Sequence, residues 1–354
     1  MTIIQRIITA FAYGVGALVL VGTTLASAEL NLHGKTVTLL VGNGLGGGGD
    51  TYARTFAPHF SKYLPGTPVI VVKNMSGGGG LQAVQYLYNV AASDGTYMGT
   101  NPAGPFREPF IGSRKVNYDL RKFHWIGSLG SEVTTCVVWH TSKATGLDYA
   151  MSNQVTLSST GPTSNANIIP MLVNEYVGAK FKTILGYDGG TSLLAMERGE
   201  VEGRCLSIGA LRAARPEWLE KKLIRPILTT KKNDDPFFRD SPVVIDAIKD
   251  PLNKRALLFF SSPDDIQYPY ALPPKASAEA VQAYRAGFAK AVRDPGYLGD
   301  AKRRHMDIEA HTGEDVHKVM DALYATPPEV VERVARVTRQ FARKKGKKKK
   351  KAAE

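Results

Sequence analysis

Two stretches of this sequence are rich in groups that could hold an anion. The first, Gly42-Asn43-Gly44-Leu45-Gly46-Gly47-Gly48-Gly49-Asp50, directly follows the β-branched run Lys35–Val41. Five of the six positions from Gly44 to Gly49 are glycine. That is more than a tight turn needs, and it lets the backbone approach a ligand closely. The second, Ser159-Thr160-Gly161-Pro162-Thr163-Ser164-Asn165, offers hydroxyl and backbone donors. A helical pattern follows each stretch. Helix N-termini carry unpaired N–H groups and a partial positive charge, which favours an anion there. Two such termini facing each other across a cleft would clamp a carboxylate without an arginine.

Other chemistries fit less well. Gly42-Asn43-Gly44-Leu45-Gly46-Gly47 matches the GxGxxG pattern of a dinucleotide site. However, the second strand ends at Lys73-Asn74 with no acidic residue for a ribose. A Walker A loop is excluded, because no Lys-Ser/Thr pair follows the glycines. The seven histidines (33, 59, 124, 140, 305, 311 and 317) are scattered, without HExxH, and there is no GxSxG elbow. Ser159, Thr160, Thr163 and Ser164 have no base near them in sequence, and helix N-capping accounts for one or two of them. Neither a cofactor nor a metal is expected.

The elements that would position these loops alternate. Strands are expected at Lys35–Val41, Val69–Val72 and Tyr97–Thr100, with helices after the glycine loop and from Leu81 to about Ala91. Asp50 or Thr51 reads as the first helix N-cap. Strand, loop and helix three times in about 70 residues specify an α/β layer with a mostly parallel sheet. Ligands of such sheets lie beyond the carboxyl ends of the strands, where the glycine loops are. The theme recurs with strands at Thr134–Trp139, Val155–Ser158, Phe181–Leu185 and Glu202–Ile208. Ala256–Phe260 reads as strand-like. Ser277–Arg293, Val316–Tyr324 and Glu329–Phe341 read as helices.

The 354 residues fit two domains better than one core. Arg6, the apolar stretch from Ile7 to about Leu25 and Ala26-Ser27-Ala28 read as an export signal cut after Ala28. The competing reading is an uncleaved anchor. Arg343 to Lys351 is a lysine-rich run, expected to leave residues 342–354 as a disordered basic tail. Of the +13 net charge, the tail and the signal carry +8, leaving about +5 for residues 29–341. That body charge is dispersed, so no nucleic-acid partner is expected. Cys136 and Cys205 permit a disulfide in an exported chain, and two buried free thiols fit the spacing equally well.

These residues resemble the periplasmic substrate-binding proteins of tripartite tricarboxylate transporters, the Bug family. The resemblance rests on Gly46-Gly47-Gly48-Gly49-Asp50 with Ala53-Arg54, on Asn74 with Gly77 and Gly80, and on Ser93-Asp94-Gly95. Ser159-Thr160-Gly161 with Thr163-Ser164, and Tyr187-Asp188-Gly189-Gly190, extend it into the second half. It covers about residues 30–325. It implies a two-lobed type II periplasmic binding protein, a Venus flytrap whose lobes are each a mostly parallel sheet flanked by helices. Lobe 1 would span residues 29–128 plus 251–341, and lobe 2 residues 129–250. It also implies a receptor without catalysis that captures a small carboxylate outside the membrane and delivers it, as a monomer, to a two-component permease. A secreted hydrolase or a sensor subunit on the same scaffold are the alternatives. The expected ligand-binding residues are Asn43, Gly46, Gly47, Gly48, Asp50, Gly78, Asn101, Thr160, Gly161, Thr163, Ser164, Asn165, Tyr187, Asp188 and Gly189. The strands carrying Cys136 and Cys205 would be neighbours, which favours the bridge. Asn43, Asn167, Gly186 and Asp188 depart from the family's usual residues, and all lie in or beside ligand loops.

Overall fold

In the computed structural model the described residues are 30–351, except 47, 113–115, 163 and 188; beyond 339 only the backbone is described. The expected export signal lies outside them. The runs rich in Val, Ile and Thr form strands, as their propensity favours. The strands are β1 (Thr36–Val41), β2 (Val69–Asn74), β3 (Tyr97–Thr100), β4 (His124–Gly130), β5 (Thr134–Trp139), β6 (Val155–Ser159), β7 (Phe181–Leu185), β8 (Gly203–Ser207), β9 (Ile224–Thr229), β10 (Gln267–Leu272) and β11 (His311–Thr312).

They form two sheets with orders β11-β4-β10-β3-β1-β2 and β7-β6-β8-β5-β9. Both are mixed, which corrects the expectation of mostly parallel sheets. β1 pairs in parallel with β2 and β3, as β6 does with β7 and β8. In the first sheet β10 runs against β3 and β4, and β11 against β4; in the second β5 runs against β8 and β9. The chain passes from β4 directly into β5 through residues 131–133, and β10, β11 and β5 are the strands that oppose the βαβ units of their sheets.

One face of the first sheet buries an aromatic cluster. Phe56, Phe60, Tyr270, Phe288 and Tyr297 meet edge-on or stacked at 5.0–6.4 Å between centroids. A second core is continuous across the two sheets, running from Leu40, Leu87 and Phe106 to Leu157, Ile169 and Leu172 through Val330 and Val334. The last helix, Pro328–Lys351, makes that link. It packs on the helices Pro251–Ser261, Gly104–Ile111 and Asn165–Val177.

Two further expectations are corrected. Ala256–Phe260 belongs to the helix Pro251–Ser261, which Asp250 caps by accepting from Leu252 N and Asn253 N, with Pro251 opening the first turn. Residues 342–351 continue the last helix rather than being disordered. Lysine is a good helix former, and a helix already nucleated by packing extends at little cost. Among the described residues no helix is long and apolar enough to cross a membrane.

Candidate functional site

The first glycine loop is built from the inside. Its helix begins at Gly48, two residues before the expected cap, so Asp50 stands in the first turn. Asp50 is 2% exposed, and its carboxylate is fully engaged. It accepts from Gly46 N at 2.9 Å, Arg54 Nε at 2.9 Å and Asn74 Nδ2 at 2.7 Å. Arg54 Nη2 donates in turn to Asn74 Oδ1, and Asn74 Nδ2 reaches the Asn43 carbonyl. Burial works against this carboxylate, but the bonds from Arg54, Gly46 and Asn74 outweigh it and hold the pKa below its ordinary value. Asp50 is therefore a brace. Expected among the ligand residues, it is engaged here by Gly46, Arg54 and Asn74.

The glycines divide by cause. A side chain on Gly42 would strike Asn101 Oδ1, and one on Gly49 would strike Asn43 Oδ1. On Gly48 it would stand 2.6 Å from the Tyr268 hydroxyl. Gly80, at φ 96°, lies against Pro102 and the Gly42 carbonyl. Gly44, Gly46 and Gly161 instead face open space within 4 Å. The carboxyl ends of β1 and β3 thus come together with the second glycine loop at Gly80. Within this cluster Asn43 Oδ1, Asn101 Oδ1 and Thr100 Oγ1 are buried and find no partner among the described residues. Buried polar atoms are nearly always paired, and these unpaired ones lie beside the glycine loops.

The second stretch opens the helix Asn165–Val177. Ser164 occupies its N-cap, but its side chain does not cap. The Ser164 hydroxyl donates to the Gly161 carbonyl at 2.9 Å and lies 3.0 Å from Ser159 Oγ. The helix N-terminus is left without a side-chain cap, as an anion site requires. Asn167, fully buried, braces the loop by donating to the Pro162 carbonyl and accepting from Thr183 Oγ1.

Arg107 ties the two halves together. From the helix Gly104–Ile111 its Nη1 reaches Asn165 Oδ1 at 2.9 Å, its Nη2 reaches Asp264 Oδ1 at 2.7 Å, and its Nε reaches the Phe260 carbonyl. Arg107 and Asp264 are 3% and 1% exposed. The second helix N-terminus is thereby fixed beside the segment that follows β3. The Asn165 side chain is consumed by this contact, so only its backbone can face a ligand.

Solved structures share this architecture. A TctC solute-binding protein from Polaromonas is 20% identical, with a TM-score of 0.61 over 84% of this chain and 98% of that one. MatC from Rhodopseudomonas palustris with bound malate is 17% identical, with a TM-score of 0.62 over 86% and 98%. A second R. palustris protein, with adipate, is 18% identical, with a TM-score of 0.64 over 86% and 97%. The fold is that of the periplasmic solute-binding proteins. No protein-family profile and no curated sequence matches the chain.

Within the solute-binding fold, the structure brings Asn43, Gly46, Gly48 and Asn101 together and sets Thr160, Gly161, Ser164 and Asn165 at the second helix N-terminus; Gly78 lies in the second glycine loop at φ 65°. Gly47, Thr163 and Asp188 lie outside the described residues. Tyr187 follows β7 with its N–H directed to the Ser159 carbonyl, and its ring packs partly on the second sheet's outer core. Gly189 opens the helix Gly189–Glu197. Cys136 and Cys205 are bonded as directly opposed residues of β5 and β8, 3.9 Å apart at Cα. Sequence reasoning missed Arg107, Glu132 and Tyr268. Nothing in their spacing marks them, because their partners lie in distant parts of the chain, 58 to 157 residues away for Arg107. Among the described residues no cluster of His, Cys, Asp or Glu could hold a metal.

Proposed function

We propose that the protein is an extracytoplasmic receptor of the tripartite tricarboxylate transporter kind, a member of the Bug family. It captures a small carboxylate and hands it to a two-component membrane permease. The observation that carries this reading is the pair of helix N-termini, at Gly48 and Asn165, that carry no side-chain anion of their own facing outward. One has its aspartate turned inward and the other lacks a side-chain cap. The carboxylate is held by backbone N–H groups that open the two helices, at Gly48 and at Asn165, with the side-chain NH2 groups of Asn43 and Asn101 completing the grip. Lobes of residues 29–128 plus 251–341 and 129–250 close on it as one monomer in the periplasm, after cleavage following Ala28. The solute-binding fold and the bound malate and adipate of its structural neighbours agree with this.

Absence of catalysis is part of the proposal. The Ser159 and Ser164 hydroxyls bond each other and the Gly161 carbonyl, not a general base. A nucleophile needs a base within hydrogen-bond reach.

The test is a thermal-shift panel of small carboxylates on the purified protein, with phosphate, sugars and nicotinamide cofactors as controls. A ligand at a hundredfold excess over its Kd adds about 2.7 kcal/mol, a clear rise in Tm. Stabilisation by one carboxylate class is expected. Stabilisation by nicotinamide cofactors alone would overturn the reading.

A further inference from the structure

We propose that the Glu132 carboxyl reads the far end of the ligand, admitting a carboxylate whose other end bears a hydroxyl or ammonium group and turning away a second carboxylate. The proposal rests on the receptor reading above and names its substrate class.

Glu132 lies on the link between β4 and β5, where the chain crosses from one sheet to the other. Its N–H donates to the Asp264 carbonyl at 2.7 Å, and the Ser207 side chain bonds its carboxyl from the end of β8. Tyr52 and Tyr268, with ring centroids 4.4 Å apart, both lie within electrostatic reach of it. Tyr268 joins Glu132 to the anion grip, because its hydroxyl stands at Gly48 in the first turn of the glycine helix. Its φ is 52°, a region that non-glycine residues seldom occupy and that persists only where the surroundings enforce it. Tyr268 thus stands between Glu132 and the start of the glycine helix.

The charged groups facing Glu132 are Asp264, Arg107 and Lys231. Neither cation is spare. Arg107 is bound to Asp264, Asn165 and the Phe260 carbonyl, and Lys231 is paired with Asp265. Arg54, nearest the grip, is bound to Asp50 and Asn74. Among the described residues a second carboxylate would meet an anion whose neighbouring cations are already paired, whereas a donor would find an acceptor. Burial, followed by the charge of Asp264, pushes the Glu132 carboxyl up to about 7. A donor on the ligand holds Glu132 ionised. A second carboxylate requires it protonated, so dicarboxylate binding takes up a proton and strengthens as pH falls.

The full chain and Glu132→Gln are titrated calorimetrically near pH 8 and near pH 6. The probes are three- to six-carbon α,ω-dicarboxylates, each with its ω-hydroxy and ω-amino monocarboxylate counterpart. Near pH 8 the wild type should prefer a donor-bearing member over its matched dicarboxylate by about tenfold or more, the size of one unfavourable charge contact. Near pH 6 the gap should narrow. Glu132→Gln, melting like the wild type, should bind the matched pair within about threefold of each other, with no pH dependence. An unchanged preference in Glu132→Gln, or a wild type that prefers dicarboxylates near pH 8, overturns the assignment while leaving the receptor standing. Binding of no carboxylate by either protein overturns the receptor reading and this inference with it.

Discussion

A carboxylate one turn inside an anion-gripping helix would repel its ligand if it faced outward, and Asp50 escapes this by turning in. Its position beside the glycines was legible in the sequence, but its direction was not. That direction depends on Arg54 one helical turn on and on Asn74 at the end of the neighbouring strand. Asp50→Asn should weaken ligand binding at least as much as removing a side chain from the loop, because Gly46 loses its charged acceptor. It should also lower Tm near neutral pH. The sign of the pH dependence follows from the depressed pKa. The wild type's advantage over Asp50→Asn is full above the ordinary carboxylate range and fades as pH falls through the lowered value. Melting curves of both proteins over an acid series check this, and a gap that widens on acidification would contradict it. Asn167 follows the same logic. It departs from the family's usual residue beside a ligand loop, and the structure turns it beneath that loop as a support.

Among the elements, those with a clean pattern were readable, and those formed by the tertiary fold were not. β1, β5, β6 and β7 are β-branched or apolar runs bounded by turns. β4 (His124-Trp-Ile-Gly-Ser-Leu-Gly) and β10 (Gln267-Tyr-Pro-Tyr-Ala-Leu) carry glycine or proline inside and owe their extended form to their neighbours. Ala256–Phe260 misled because five apolar residues fit a buried strand or a buried helix equally well. The Asp250-Pro251 start signal should have decided it. Arg107 is the consequential omission, since it joins a first-sheet helix to the second helix N-terminus. Arg107→Met should destabilise the protein by about 3–5 kcal/mol by leaving Asp264 buried without its cation. Arg107→Met with Asp264→Leu should recover much of that loss. Denaturant unfolding of both variants measures it, and a single substitution costing under about 1 kcal/mol would reduce the contact to a passive one.

For the whole molecule, the two α/β halves and the helix-terminal site followed from repeated strand, glycine loop and helix. The mixed sheets did not, because pairing direction depends on where the chain crosses between sheets. Spacing alone left the cystine that ties β5 to β8 open, and only the family resemblance, by making the two strands neighbours, favoured it. Its closed loop spans a sequence separation of 69. Replacing both cysteines by serine should lower stability by on the order of 4 kcal/mol, measured as urea unfolding against the oxidised wild type. Wild type treated with reductant should approach the double variant. Equal stability of oxidised protein and double variant would show that the bridge contributes nothing. The same polypeptide thus has two stabilities, one for each redox compartment. While its thiols are reduced the second half is easier to hold open, which on the proposed periplasmic location would suit threading through a translocation pore. Chains kept reduced would stay in the weaker state and be the readier targets for proteolysis. Oxidation on the far side would then act as a ratchet against return.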